Sequence, residues 1–255
     1  MSLVKIMTFN IRMDTEYDGI NSFTNRFNRV LEVINKELPD VIGFQEVTDS
    51  MRDRLRRALP DYCITGCGRD KNLHGESMMI AYRADKIELL SCDNIWLSLT
   101  PNIPGSRYGG DQSGCPRMYT TTLLKHNDTK EPFRFINTHL DHHGKNARYL
   151  GALQLVQAIS QYKEKFVLTG DFNAEPSSPE IQLITSALSY RGAIDCTDGF
   201  EPTFHAFGQL KEEEKVKIDY IFTDGKCENA YIVEDIPVNG QYYSDHFAIC
   251  AYIEL

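Results

Sequence analysis

Asp171 and Asn173 stand one residue apart, directly after the apolar run Phe166–Leu168 and Gly170. If extended backbone persists past the glycine, period-two alternation puts both side chains on one side of the chain. Asp offers a charged acceptor and Asn both a donor and an acceptor. That pair suits a phosphoryl group and the water that attacks it. A strand followed by an Asp, Asn and Pro turn is the plainer reading of the same stretch, so the chemistry depends on company elsewhere.

Other apolar runs end in similar residues. Leu3–Phe9 ends in Asn10, Asp40–Phe44 in Gln45-Glu46, and Phe133–Ile136 in Asn137-Thr138-His139. The final run, Phe247–Ile253, instead begins with Asp245-His246. If it lies antiparallel to strands of that set, its start sits beside their ends. Carboxylates, amides and His would then gather at one sheet edge. With no thiolate among them, they suit a hard cation with oxygen ligands, Mg²⁺ or Mn²⁺. Mg²⁺ retains several waters, so Glu46 and Asp245 are carboxylates enough.

The elements that must position these groups are legible as periodicities. Phe27, Val30, Leu31, Ile34 and Leu38 recur at helical spacing and predict a helix over Ser22–Leu38, stopped by Pro39. A second helix is expected over Asp49–Leu59. A third is expected over Asn146–Tyr162, with Leu150, Leu153, Val156 and Ile159 inward, and a fourth over Pro179–Ser189. Met78–Tyr82, Ile87–Leu90, Asn94–Leu97, Thr120–Leu124, Lys217–Phe222 and Ala230–Val233 read as further strands, with Asp219 inside one of them. An unpaired carboxylate inside an apolar strand is costly, and His246 is its candidate partner. Ser98–Pro116 contains three Pro and four Gly and little aliphatic periodicity. A loop of that length in a compact domain is usually functional or disordered, and Arg107, Tyr108 and Arg117 give it cationic and stacking groups suited to a phosphorylated molecule.

The 255 residues fit one domain spanning 1–255, with 42% hydrophobic residues, an ordinary globular composition. No run approaches the roughly 18 consecutive apolar residues of a membrane span, and the N-terminus carries no leader-like pattern, so a cytoplasmic protein is expected. The seven Cys are scattered without a Cys-x-x-Cys pair, which indicates neither a disulfide framework nor a structural zinc site. A net charge of -9 argues against tight, nonspecific binding to long nucleic acid. The expected partner is a phosphorylated small molecule or a short nucleic acid, and no feature calls for an obligate protein partner.

Thr8-Phe9-Asn10, Gln45-Glu46-Val47, Asn137-Thr138-His139-Leu140, Gly170-Asp171-Phe172-Asn173, Ile218-Asp219-Tyr220 and Ser244-Asp245-His246 resemble the ordered motifs of the endonuclease/exonuclease/phosphatase superfamily, the DNase-I-like phosphoesterases. Six weak motifs in the right order, over nearly the whole chain, make the resemblance specific. It implies a four-layer α/β sandwich, two packed mixed β-sheets flanked by helices. It implies Mg²⁺- or Mn²⁺-dependent hydrolysis of a phosphodiester or phosphomonoester by in-line attack of an activated water. Glu46 would be the principal metal ligand, with Asn10 beside it and Asp245 near the same or a second ion. Asp171 would orient or deprotonate the water and Asn173 would hold it or a phosphate oxygen. Asp219 would pair with His246, and His139 would face the phosphate with Glu76 as its carboxylate partner. A catalytically idle relative that binds phosphate ligands, a nuclease, and a zinc hydrolase using His139, His142 and His143 are the competing readings.

Overall fold

In the computed structural model, which describes residues 3–129 and 131–255, the alternating runs become strands of two six-stranded sheets. The first sheet contains β1 (Leu3–Asn10), β2 (Val41–Val47), β3 (Tyr62–Thr65) and β4 (Ser77–Arg83). It is completed by β11 (Lys226–Ile232) and β12 (Ile249–Glu254), in the order β11-β12-β1-β2-β4-β3. The second contains β5 (Ile87–Trp96), β6 (Met118–His126), β7 (Phe133–His139), β8 (Lys165–Asp171), β9 (Ile194–Asp195) and β10 (Asp219–Thr223), in the order β5-β6-β7-β8-β10-β9. Each sheet has a single parallel pair, β1 with β2 and β7 with β8, and is otherwise antiparallel.

A parallel pair needs a crossover, usually a helix. Helix α1 (Phe23–Glu37) supplies it between β1 and β2, and α3 (Lys145–Gln161) supplies it between β7 and β8. Helices α2 (Asp49–Ala58) and α4 (Pro179–Leu188) join them on the two outer faces. Strand alternation then builds the layers. Met7 and Phe9 of β1 pack outward with Val30 and Ile34 of α1, while Val4 and Ile6 pack inward with Phe135, Val167 and Ile221 of the other sheet. Phe166 and Leu168 of β8 meet Leu155 and Ile159 of α3. Each such side chain contributes roughly 1.5–3 kcal/mol by leaving water. The result is the expected four-layer α/β sandwich.

Local details depart from the sequence reading. Leu38 is the left-handed cap of α1 (φ 48°) and is exposed, so Phe23 and Val33 take its place on the buried face. In α3 Leu150 is exposed and Leu155 carries the packing. Ile87–Leu90 and Asn94–Leu97 belong to one strand with a register shift between Leu89 and Ser91. Asp219 opens β10 instead of lying inside it. Among the described residues no helix is long and apolar enough to cross a membrane.

Candidate active site

The strand ends that carry polar residues meet at one edge because the two sheets approach unusually closely there. A Cβ at Gly43 would lie 2.4 Å from Thr169 Oγ1 and 2.8 Å from Asn137 Oδ1, so only glycine fits. Asn137 fills the gap. Its Nδ2 donates to the Phe44 carbonyl at 2.7 Å and the Met79 carbonyl at 3.0 Å, and its Oδ1 accepts from Gln45 Nε2 at 2.6 Å. These bonds join β7 to β2 and β4 directly beneath the site.

Above that bridge β12 runs antiparallel to β1, with Ile249 opposite Thr8. The segment before it therefore brings Asp245 and His246 beside Asn10. Asp219 stands opposite Asp171 in the β10–β8 ladder. His246 Nδ1 lies 2.9 Å from Asp219 Oδ2, an ion pair across the two sheets. Thr203 Oγ1 donates to the same carboxylate at 2.6 Å. His246 Nε2 lies 3.8 Å from Asp171 Oδ2, and His139 Nε2 lies 3.4 Å from that oxygen.

The extended conformation stops at Asp171. Asn173 is left-handed (φ 48°), and its backbone N–H donates to Asp171 Oδ1 at 2.9 Å. Asn10 Nδ2 donates to Asp171 Oδ2 at 3.0 Å and to Glu46 Oε1 at 3.2 Å. Asp171 is thus gripped at both oxygens.

Charge in this buried cluster is distributed unevenly. Burial works against the His246 cation, yet Asp219, then Asp171 and Asp245, push its pKa up to about 10. Burial and the neighbouring Asp219 push the Asp171 carboxyl up to about 7, against the pull of His246. Burial, then Arg117 and Arg69, hold His139 well below its ordinary value, so it is a neutral imidazole. The two histidines therefore stand in opposite charge states on either side of one carboxylate.

Glu46 and Asp245 form an acidic wall. Glu46 has left-handed backbone (φ 62°) where β2 and β4 shift register between Phe44 and Val47. Strained backbone of this kind costs about 1–3 kcal/mol and is common at functional sites. Its carboxylate accepts from the Met13 N–H at 3.0 Å. Burial opposes its ionisation, but Met13, Arg12 and His246 together hold it below the usual carboxylate range. Burial raises Asp245, and Glu46 adds to that rise. Arg12 lies between them, 3.9 Å from Glu46 and 3.8 Å from Asp245, and is tied to Asp18 at 3.0 and 3.2 Å. The backbone around Arg12 is clasped by the fully buried Arg26, which donates to the carbonyls of Ile11, Arg12, Asn21 and Tyr243.

Burial raises Asp171 and Asp245, and a cation beside them would favour their charged forms. Glu46, Asn10 and Asp245 have the donor chemistry for a hard divalent ion. Asp171, Asp219 and His246 also offer ligand atoms within 4.8 Å of one another. That trio is already balanced, because His246 is the cation between the two carboxylates. His139, His142 and His143 do not assemble. His142 Nδ1 lies against Arg117 Nη2 at 2.7 Å, and both His142 and His143 are exposed.

The cleft above these groups measures about 310 Å³. Its opposite wall is basic. Arg69, Glu76, Arg117, His139 and His142 line it, together with Cys115. Glu76 stands where the resemblance placed a partner for His139, but its carboxylate pairs with Arg69 at 2.5 Å, and His139 Nδ1 has no hydrogen-bond partner among the described residues. Arg107 and Tyr108 do not reach the cleft. Arg107 donates to the Ser113 carbonyl, and the Tyr108 hydroxyl donates to Gln154 and the Leu150 carbonyl of α3. The loop is also pinned at Asp111, which caps α3 through Asn146 and Ala147, and at Asp141, which accepts from Ser113. These anchors account for its fixed course despite its glycines.

Arg12, Arg69 and Phe204, the last with its ring 4.9 Å from His246, were not singled out from sequence. Arg12 follows Asn10 by two residues, a spacing that could have flagged it. Arg69 and Phe204 lie in irregular segments with no periodic signal.

The family model described as Endonuclease/Exonuclease/phosphatase family matches residues 7–246. The crystal structure of the endonuclease/exonuclease/phosphatase from Bacteroides vulgatus is 33% identical, covers 100% of both chains and superposes with a TM-score of 0.92. A Bacteroides thetaiotaomicron structure described as a mannosyl-6-phosphatase is 24% identical over 99% of this chain and 100% of that one, with a TM-score of 0.87. An uncharacterized protein of Acanthamoeba polyphaga mimivirus is 22% identical over 98% of this chain and 100% of its own length.

Proposed function

The chain belongs to the endonuclease/exonuclease/phosphatase family, and on that premise we propose that it is a divalent-cation-dependent phosphoesterase acting on a small or short phosphorylated substrate. The observation that carries this reading is the setting of Asp171. It is buried, fixed at both oxygens, raised to about 7 and flanked by one cationic and one neutral histidine. A base poised near neutral pH is what proton removal from an attacking water requires.

The residues divide the work. Asp171 orients water and takes its proton. Asn10 and the Asn173 backbone keep that carboxylate from rotating. His246, with Nδ1 committed to Asp219, presents a fixed positive charge to the phosphoryl oxygens as negative charge develops on them. Asp219 keeps the imidazole protonated and oriented, the base-orienter logic of hydrolase triads. His139 faces the phosphoryl group from β7 as a neutral hydrogen-bonding group. Mg²⁺ or Mn²⁺ would be held by Glu46 and Asn10, with Asp245 beside them, and would supply neutralisation of the non-bridging oxygens.

Substrate size follows from the cleft. About 310 Å³ suits a compact molecule, and a net charge of -9 disfavours long duplex DNA. One structural neighbour is described as a mannosyl-6-phosphatase, which makes sugar phosphates the first class to try. The test is a screen of phosphomonoesters, phosphodiesters, DNA, RNA and phospholipids with Mg²⁺, Mn²⁺ and excess chelator. Turnover of a small ester only with the metal supports the proposal. Binding without turnover of any class favours the idle relative.

A further inference from the structure

The basic wall of the cleft carries two arginines whose charge is not fully used. Arg69 is 7% exposed and Arg117 is 4% exposed, and both line the cleft. Each has a buried Nη1 without a hydrogen-bond partner. A guanidinium is charged at every accessible pH and presents its donors as a rigid fork, and a buried donor left unmade costs roughly 1–3 kcal/mol. Arg29, Arg52 and Arg134 also carry an unpartnered buried nitrogen but do not line the cleft, whereas Arg69 and Arg117 both do.

Both arginines are held in place by their other nitrogens. Arg69 Nη2 pairs with Glu76 at 2.5 Å, and the Arg69 carbonyl accepts from Trp96 Nε1 at 2.6 Å. Arg117 Nε lies 3.5 Å from Asp141, and Arg117 Nη2 contacts His142 Nδ1 at 2.7 Å. Glu76 and Asp141 are thus the carboxylates that hold the wall, and His142 is kept from gaining a proton by partial burial and by Arg117. His139 lines the same cleft and adjoins both the wall and the reacting groups. Its Nε2 faces Asp171, whereas both arginines depress its proton affinity. Among the described residues Asp171 makes ion-pair contacts with His139 and His246 and with neither arginine.

We propose that Arg69 and Arg117 form a second anion subsite, so that the preferred ligand is a compact phosphate ester carrying a further anionic group, a phosphate or a carboxylate. This rests on the phosphoesterase reading only for which group is cleaved. Occupancy of the subsite is a binding property that stands without turnover. An anionic acceptor placed against this wall would meet two guanidinium groups, and charge-assisted bonds of this type are the stronger class.

Isothermal titration of the full chain in excess chelator, where no metal-dependent turnover occurs, tests it directly. The probes are a sugar bisphosphate, a phosphorylated hydroxy acid and the matching sugar monophosphate. The wild type should bind one or both doubly anionic probes about ten- to a hundredfold tighter than the monophosphate, the range expected for charged hydrogen bonds. Which of the two binds tighter identifies the second group. In Arg69→Met that preference should collapse towards one. Arg69→Lys, which keeps the charge and loses the fork, should retain part of it and controls for misfolding. Equal affinity for all three probes in the wild type, or an unchanged preference in Arg69→Met, overturns the proposal. Metal-dependent turnover of the monophosphate, run in parallel, reports on the phosphoesterase reading alone.

Discussion

The two walls of the cleft are built by different rules. The acidic wall comes from residues at strand ends and a strand start: Asn10 closes β1, Glu46 lies in the bulge of β2, and Asp245 precedes β12. The basic wall comes from the irregular segments that flank strands. Arg69 lies between β3 and β4, Arg117 just before β6, and His142 just after β7. Rigid sheets set the reacting groups, where small displacements are expensive. Flanking segments set what else the ligand must carry, as is usual when specificity varies on a common scaffold. Predictions that separate the walls range from chemistry to packing.

The largest effect is expected at the Asp219–His246 pair. Asp219→Asn should lower kcat by about a thousandfold, the scale on which orienting a catalytic imidazole matters. The His246 titration, followed by NMR, should move down from about 10, because Asp219 is the main group raising it. Combining it with His246→Ala should add little to the loss. Fully additive ΔΔG‡ values would show that the two do not act as a unit.

Stability should report the same cluster without any substrate. His246 is raised to about 10 in the folded chain against an ordinary 6.5, and Asp171 to about 7 against 3.8. For both, the folded state holds its proton more tightly than the unfolded state. Their contribution is complete below the unfolded values and is lost as pH rises through about 7 for Asp171 and about 10 for His246. In chelator, Tm should therefore fall between pH 7 and 9, and Asp219→Asn should flatten that slope. A Tm that climbs over this range would contradict the protonated His246.

Asn137→Ala removes the donor to the Phe44 and Met79 carbonyls and one of three acceptors of the Gln45 amide where the sheets meet. It should cost about 2–4 kcal/mol by denaturant unfolding while the acidic wall still forms. Arg12→Gln removes a cation 3.9 Å from Glu46 and 3.8 Å from Asp245, so divalent-ion affinity measured by titration should rise severalfold. Weaker binding would mean that Arg12 supports the wall more than it competes with the ion. The smallest effect is expected for Tyr108→Phe. It loses bonds to α3 worth about 1 kcal/mol and should leave kcat/KM unchanged, since the hydroxyl is spent on Gln154 and Leu150.

How much was legible in the sequence follows the same division. The four-layer sandwich came with the family resemblance, whereas the convergence of Asn10, Glu46, His139, Asp171, Asp219, Asp245 and His246 could be read because each stands in or next to an apolar run that reads as a strand. The short strand Tyr62–Thr65 lay hidden behind Pro60, and Ile194–Asp195 is too brief to show a period. Arg69 escaped notice because nothing periodic surrounds it. Arg26 lies off the apolar positions that predicted its helix and was not singled out, yet it is fully buried with carbonyls as its hydrogen-bond acceptors. Tyr108 and Arg107 had suitable chemistry but not suitable direction, which depends on turns that composition does not encode. The extended path assumed for Asn173 failed for a local reason: the left-handed turn lets its N–H cap Asp171.

The central claim is that the acidic wall holds a divalent cation needed for hydrolysis. Release of phosphate from a sugar monophosphate by wild type and Glu46→Gln, each with Mg²⁺ and with excess chelator, tests it most directly. Turnover only by the wild type, only with Mg²⁺, and restored when Mg²⁺ is added back after chelation is the predicted result. Undiminished turnover in chelator, or a Glu46→Gln protein as active as the wild type, would contradict it.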